Sequence, residues 1–198
     1  MRLLRRQPVP EPATADADAL LVAWAQQSPQ AFTRLYDRYF PAVYGYCLSQ
    51  LSDPEAAEDA ASQTFLQALA ALPGYRETGR FRSWLFAIAH NAIRDQISKR
   101  RPESTLDAAV GLVDPGPSPE ETAIADLDRI WLDGAIARLS PDDRQVVELR
   151  RAGLTGQEVA AVLGINREAA KKRQLRAIER IRADFIAAPR GQEVGHGA

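Results

Sequence analysis

The chain of 198 residues sets 25 Lys and Arg against 26 Asp and Glu, a formal net charge of −1, so no global basicity marks it as a nucleic-acid binder. Its length suits one large or two small domains, each able to bury a core. A single cysteine, Cys47, excludes an internal disulfide and a cysteine-based zinc site, and no apolar run nears the roughly 18 residues that cross a bilayer. The expectation is a soluble, cytoplasmic protein of a reducing compartment with no membrane insertion.

Residues 1–17 are proline-rich and lack periodicity, which predicts a flexible extension; the charged start Met1-Arg-Leu-Leu-Arg-Arg is not followed by the apolar segment of a signal peptide. From Asp18 the pattern turns helical. Leu20, Leu21 and Trp24 start one apolar stripe, and Phe32, Leu35, Tyr36 and Tyr39 a second at three- and four-residue spacing. Pro41 lacks an amide and clashes with the preceding turn, so it is expected to interrupt or kink the pattern before Val43, Tyr44, Cys47, Leu48 and Leu51 resume it. Asp53-Pro54 reads as an acidic N-cap followed by a first-turn proline. In the helix that follows, Ala57, Ala60, Ala61, Phe65, Ala68 and Leu69 can face inward, while Glu55, Glu58, Asp59 and Gln63 lie on a polar, acidic side. Spacing alone makes that side an ordinary solvated face.

Pro73-Gly74 ends this helix, and the stretch GYRETGRFRS interleaves Tyr75 and Phe81 with Arg76, Arg80 and Arg82. Rings that stack on unpaired bases beside guanidinium groups that hold phosphates are what a single strand requires, each good stack contributing about 1–3 kcal/mol. The same pattern serves a loop stapled to the core by its aromatics. The next helix buries Leu85, Ile88, Ala89 and Ala92 and ends in Lys99-Arg100-Arg101; Trp84, Asn91 and Asp95 share a stripe beside Arg94 and Ser98. His90 has no neighbouring ligand and reads as structural or surface. Residues 102–121, rich in Pro, Gly, Ser and acidic side chains, read as a linker. A helix around Asp126–Leu139 follows, with Ile130, Trp131, Ile136 and Leu139 apolar, and Ser140-Pro141-x-Asp143 caps another that contains Val146, Val147 and Leu149.

Thr155–Arg182 carries helix-turn-helix grammar. Thr155 and Glu158 form a capping box, Val159, Ala160, Val162 and Leu163 give an apolar side, Gly164 can take the left-handed conformation, and Asn166 can cap the second helix. There Ala170, Ala177, Ile178, Ile181 and Phe185 share one arc, while Lys172, Arg173, Arg176 and Arg180 fall mostly opposite. A helix entering a major groove needs that division; a salt-bridged surface helix also displays it. The tail from 188 to 198 reads as frayed. The fold expected is all-α, with two small helical domains over residues 18–101 and 122–187.

In chain order, AFTRLYDRYFPAVYGYCLSQLSDPEAAEDAASQTFLQAL, GRFRSWLFAIAHNAIRDQISKRR and LSPDDRQVVELRRAGLTGQEVAAVLGI resemble the bacterial sigma factors of the extracytoplasmic-function class, the minimal kind that keeps only the second and fourth conserved regions. The resemblance implies a transcription initiation factor, not an enzyme and without cofactor or metal. Such a factor binds core RNA polymerase at the largest-subunit clamp and the flap, recognises minus-10 and minus-35 promoter elements and stabilises melting. It makes Asp53, Glu55, Glu58, Asp59 and Gln63 polymerase contacts. It assigns Tyr75, Arg76, Thr78, Arg80, Phe81, Trp84, Asn91, Arg94, Lys99, Arg100 and Arg101 to the minus-10 single strand. Thr155, Arg167, Lys171, Lys172, Arg173 and Arg176 would meet the minus-35 duplex. Linker acids such as Asp107 and Asp114 would lie toward the polymerase active site, and an anti-sigma factor is a further candidate partner.

Two departures stand out. Ser62-Gln63 replaces the usual Gln-Glu of the class, and Ala169-Ala170-Lys171-Lys172-Arg173-Gln174 replaces a common Thr-Val-Lys-Ser-Arg-Leu, which puts Gln174 on the apolar arc. The competing readings are a stand-alone helix-turn-helix regulator of duplex DNA and an interaction module whose basic helix contacts protein. No Walker loop, ligand cluster or nucleophile with a matching base supports an enzyme.

Overall fold

Local capping signals set most of the helix boundaries in the computed structural model, which describes residues 15–76, 78, 80–100 and 130–187. Among these residues all regular structure is helical: α1 (Ala15–Ala25), α2 (Pro29–Leu51), α3 (Pro54–Ala71), a short 3-10 turn (Leu72–Gly74), α4 (Phe81–Arg100), α5 (130–137), α6 (Pro141–Arg151), α7 (Gly156–Leu163) and α8 (Arg167–Ala187). The expected linker, the tail, residues 1–14, Arg101, Asp107 and Asp114 lie outside the described residues.

Asp53 caps α3 as its sequence implies: its carboxylate accepts from the amides of Glu55 at 3.0 Å and Ala56 at 3.3 Å, and Pro54 occupies the first turn. Ser52, at φ 53°, ends α2 in the left-handed region. Pro41 does not interrupt α2, contrary to expectation. It sits on the solvent side, where water can take up the carbonyl it leaves unpaired.

The core is assembled around α3, whose Ala57, Ala60, Ala61 and Ala68 are fully buried. Small side chains on that face let α2 and α4 approach closely. Phe65 fills the remaining edge, 4.7 Å from Tyr36 and 6.1 Å from Phe40 between ring centroids. On α1 the buried positions are Asp18, Val22 and Ala25; Leu20 and Trp24, expected to pack, are 75% and 52% exposed. Asp18 explains the rotation of that helix, because its carboxylate accepts from the Tyr39 hydroxyl and pairs with Arg38 at 3.1 Å. Leu69 is likewise exposed rather than inward.

His90 is buried on α4, its Nδ1 3.1 Å from the Tyr46 hydroxyl; burial, with Arg94 beside it, lowers its pKa and keeps the ring neutral. Cys47 is a core thiol whose pKa burial pushes up to about 12, which leaves it unreactive at neutral pH.

In the second half, Ser140 caps α6, its hydroxyl accepting from the Asp143 amide at 3.3 Å. Arg144 then reaches back into two helix ends. Its Nη2 donates to the carbonyls of Ala137 and Leu139 at 2.7 and 3.2 Å, and its Nη1 to the Ser49 carbonyl in the last turn of α2 at 2.9 Å. Val146, Leu149, Leu154, Val159, Ala160, Val162 and Ala170 join the same buried cluster as α1 to α4, while Ile136, Leu139 and Ala177 form a smaller one.

Replacing Asp53 by Ala orphans two first-turn amides. We expect Asp53→Ala to lower stability by about 1 kcal/mol, and Asp53→Asn to lower it by much less. A fall in the urea midpoint with an unchanged slope for Asp53→Ala alone is the predicted result.

Candidate nucleic-acid interface

The outer side of α3 presents Glu55, Glu58, Asp59, Ser62 and Gln63 to solvent, while the half-buried Asp53 spends its carboxylate on the cap. One turn further along, the face changes character. Leu66 and Leu69 are 63% and 42% exposed, so acidic side chains run into an apolar end. The alternation was hidden in the sequence because the alanine-rich repeat leaves the phase of the helix ambiguous.

The stretch after α3 is stapled by its rings. Tyr75 lies 4.7 Å from Trp84 and 5.7 Å from Phe81, and Phe81 lies 5.5 Å from both Trp84 and Tyr39. Phe81, expected to offer a stacking face, is instead a core residue at 2% exposure, because it is the first residue of α4 and turns its ring against α2. Trp84 and Tyr75 are only half-buried. Gln26, which sequence reasoning missed, braces the turn: its side-chain amide donates to the carbonyls of Leu72 at 3.1 Å and Tyr75 at 2.7 Å.

Arg76, Thr78 and Arg80 in the stretch before α4, and Asn91, Arg94 and Lys99 along α4, are all exposed, and Arg100 ends that helix. Trp84, Asn91 and Arg94 recur at helical spacing, so ring, amide and guanidinium line one side of α4. Arg82 points elsewhere, its Nη1 donating to the Gly153 carbonyl at 3.3 Å.

The helix-turn-helix forms as its residues specify. Thr155 and Glu158 complete the capping box, Gly164 takes φ 64°, and the Asn166 side chain accepts from the Ala169 amide at 2.7 Å. The Thr155 hydroxyl is thereby occupied, accepting from the Glu158 amide at 3.3 Å and donating to Glu158 Oε2 at 2.8 Å.

The basic residues of α8 divide into two groups. Arg173 pairs with Asp142, and Arg176 with the buried Asp143, each at 2.8 Å; with Ser140, Pro141 and Arg180 the last three of these residues line a shallow cleft of roughly 420 Å³. Arg167, Lys171 and Lys172 are exposed, and none of them forms an ion pair among the described residues. Gln174 is half-buried and Leu175 is 52% exposed. The apolar arc at the amino end of α8 therefore rests on Ala170 and Ala177, whose small side chains bring the helix close to α6 and α7.

Residues 35–103 match the family described as Sigma-70 region 2, and residues 135–183 that described as Sigma-70, region 4. The chain is 36% identical over 173 residues to the ECF RNA polymerase sigma factor BldN of Streptomyces coelicolor, covering 83% of this chain and 66% of that protein. It is 34% identical over 177 residues to the ECF RNA polymerase sigma factor ShbA of Streptomyces griseus subsp. griseus, covering 83% of this chain and 93% of the relative. The solved structure of CnrH in complex with the cytosolic domain of CnrY is similar with a TM-score of 0.63 and 28% identity, across 87% of this chain and 99% of that one. Two region matches in order, and relatives aligned along most of their length, place this chain in the extracytoplasmic-function class of RNA polymerase sigma factors.

Proposed function

We propose that this sigma factor divides promoter reading between two surfaces, with residues 18–101 handling the opened minus-10 strand and residues 122–187 the minus-35 duplex. The observation that carries the reading is the half-buried Tyr75–Trp84 pair, 4.7 Å apart, with exposed Arg76 and Arg80 in the same stretch of chain and exposed Asn91 and Arg94 further along α4. A base extruded from a duplex loses a few kcal/mol of stacking and pairing, and a ring platform beside cations compensates only where the strands are already apart. Tyr75 and Trp84 supply that platform, and Phe81 supports it from below.

In the second surface, the free cations Arg167, Lys171 and Lys172 meet phosphates and base edges. Arg173 and Arg176, held by Asp142 and Asp143, chiefly fix the pose of α8. The acidic-to-apolar face of α3, from Glu55 to Leu69, docks on the polymerase clamp; exposed leucines beside carboxylates suit an interface with an apolar centre and a charged rim. RNA synthesis remains the chemistry of polymerase. The factor acts in the cytoplasm, and no helix among the described residues is long and apolar enough to cross a membrane. CnrH is solved with the cytosolic domain of CnrY bound, and we extend regulation by a protein partner of the anti-sigma kind to this chain.

Run-off transcription with core polymerase tests the whole reading. The protein should co-purify with core enzyme and direct a promoter-dependent transcript; loss of either result overturns it. In the same assay, Tyr75→Ala with Arg76→Ala should reduce permanganate-reactive open complexes about tenfold or more while leaving minus-35 protection in place. Equal loss of both signals would remove the single-strand role. Lys171→Ala with Lys172→Ala should weaken upstream duplex binding and lower its salt slope by about one for each phosphate contact removed. An unchanged slope would take those lysines out of the site.

A further inference from the structure

The turn that carries Tyr75 is held from far away in the sequence. The Gln26 side-chain amide donates to the Leu72 carbonyl at 3.1 Å and to the Tyr75 carbonyl at 2.7 Å, reaching 46 and 49 residues along the chain. A primary amide has two N–H donors, and this one spends both on the two ends of a single turn. The Leu72 carbonyl already accepts from the Tyr75 amide at 3.0 Å, which closes the 3-10 turn, so its second lone pair takes Gln26.

This pair of bonds fixes a direction. The plane of the peptide between Tyr75 and Arg76 follows the Tyr75 ψ of 132°, and the bond from Gln26 to the Tyr75 carbonyl holds that plane. With the plane held, the Tyr75 ring stays against Trp84 at 4.7 Å and the chain leaves toward the exposed Arg76 in one direction.

A residue that merely ended α1 would bond back to that helix. Gln26 does so with its backbone, whose amide donates to the Val22 carbonyl at 2.9 Å, but its side chain turns to the distant segment. The position from which it reaches is itself fixed. Val22 and Ala25 are buried just before it, and near the other end of α1 Asp18 accepts from the Tyr39 hydroxyl and pairs with Arg38. Tyr39 lies 5.5 Å from Phe81, and Phe81 lies 5.5 Å from Trp84. One short helix therefore reaches the ring platform by two routes, through Gln26 on the Tyr75 side and through Asp18 and Tyr39 on the Phe81 side.

We propose that Gln26 is a positioning residue for the strand-reading surface: its amide holds the Tyr75 and Arg76 backbone in the pose that receives an unstacked base, acting through those two residues rather than on the DNA itself. The proposal rests on the single-strand role given to Tyr75 above. A site already in its bound pose loses less freedom on binding than one that must order itself, so the brace raises affinity for the open strand. The duplex-reading helix α8 gains nothing from it.

The test uses the full-length protein assembled with core polymerase, and a fork template that is duplex over minus-35 and single-stranded over minus-10, taken from a promoter the reconstituted holoenzyme selects. Gln26 is exposed, so its substitution leaves the core intact. Gln26→Met keeps the side-chain length and removes both donors; Gln26→Glu keeps the shape and sets carboxylate oxygens against two carbonyls. Affinity for the single strand should fall about tenfold in Gln26→Met and further in Gln26→Glu, with core binding and minus-35 protection within about twofold of wild type. In a Tyr75→Ala, Arg76→Ala background, Gln26→Met should cost less than about twofold, because the brace then has nothing to position. Unchanged single-strand affinity in both variants overturns the proposal. So does a loss that persists undiminished in that background, or an equal loss of core binding, which would make Gln26 a fold residue only. A wild-type holoenzyme that binds the single strand no better than the closed duplex overturns the single-strand reading itself, and is told apart because it needs no variant.

Discussion

One guanidinium holds the ends of two helices. Arg144 rises from the first turn of α6 and donates to Ala137 and Leu139 at the end of α5 and to Ser49 in the last turn of α2. Carbonyls at helix C-termini have no partner within their own helix and carry the negative end of its dipole, so the two Nη groups of a partly buried guanidinium placed among them supply the missing donors. Burial lowers the Arg144 pKa, yet a guanidinium starts so high that it stays charged. Because α2 belongs to the region 2 part and α5 and α6 to the region 4 part, this side chain sets where the two parts meet. The shared apolar cluster, the Arg82–Gly153 contact and the Tyr46–His90 pair all lie on that same seam.

Charge is used locally along the whole chain. Near-neutral overall composition hides an acidic outer face on α3, a cationic approach to α4, and a recognition helix whose arginines are partly neutralised by the acidic first turn of α6. Asp142 and Asp143 favour the N-terminus of α6 electrostatically, and at the same time fix Arg173 and Arg176. Each of these carboxylates thus serves a helix end and a side-chain pose, and Arg167, Lys171 and Lys172 stay exposed without an ion pair among the described residues. With a net charge of −1, the chain as a whole offers little electrostatic attraction to DNA, and its cations act only as local patches.

What the sequence made legible was local. Asp53-Pro54, Ser140-Pro141, the Thr155–Glu158 box, Gly164 and Asn166 each act within a single turn, and each appears where its chemistry requires. The family resemblance was readable for the same reason: the motifs are contiguous. What could not be read was set by distant partners. Tyr39 and Arg38 draw Asp18 inward and so turn Leu20 and Trp24 out, α2 continues through Pro41 because that ring faces solvent, and Phe81 is claimed by Tyr39. The loop between α3 and α4 admitted two accounts, an aromatic staple or a stacking platform. The ring contacts make Phe81 a staple and leave Tyr75 and Trp84 half-exposed. The joint between the two parts was likewise invisible, since Arg144 and Ser49 stand far apart in the chain and nothing in either motif announces the other.

The central claim is that one chain reads two promoter elements at a fixed distance. It is tested most directly by run-off transcription from a promoter selected by the reconstituted holoenzyme, with about 5 base pairs, half a helical turn, inserted between the two elements. The account predicts that the transcript collapses although both elements remain intact, and that removing the insertion restores it. An unchanged transcript, or one that survives deletion of either element, would contradict a divided reader.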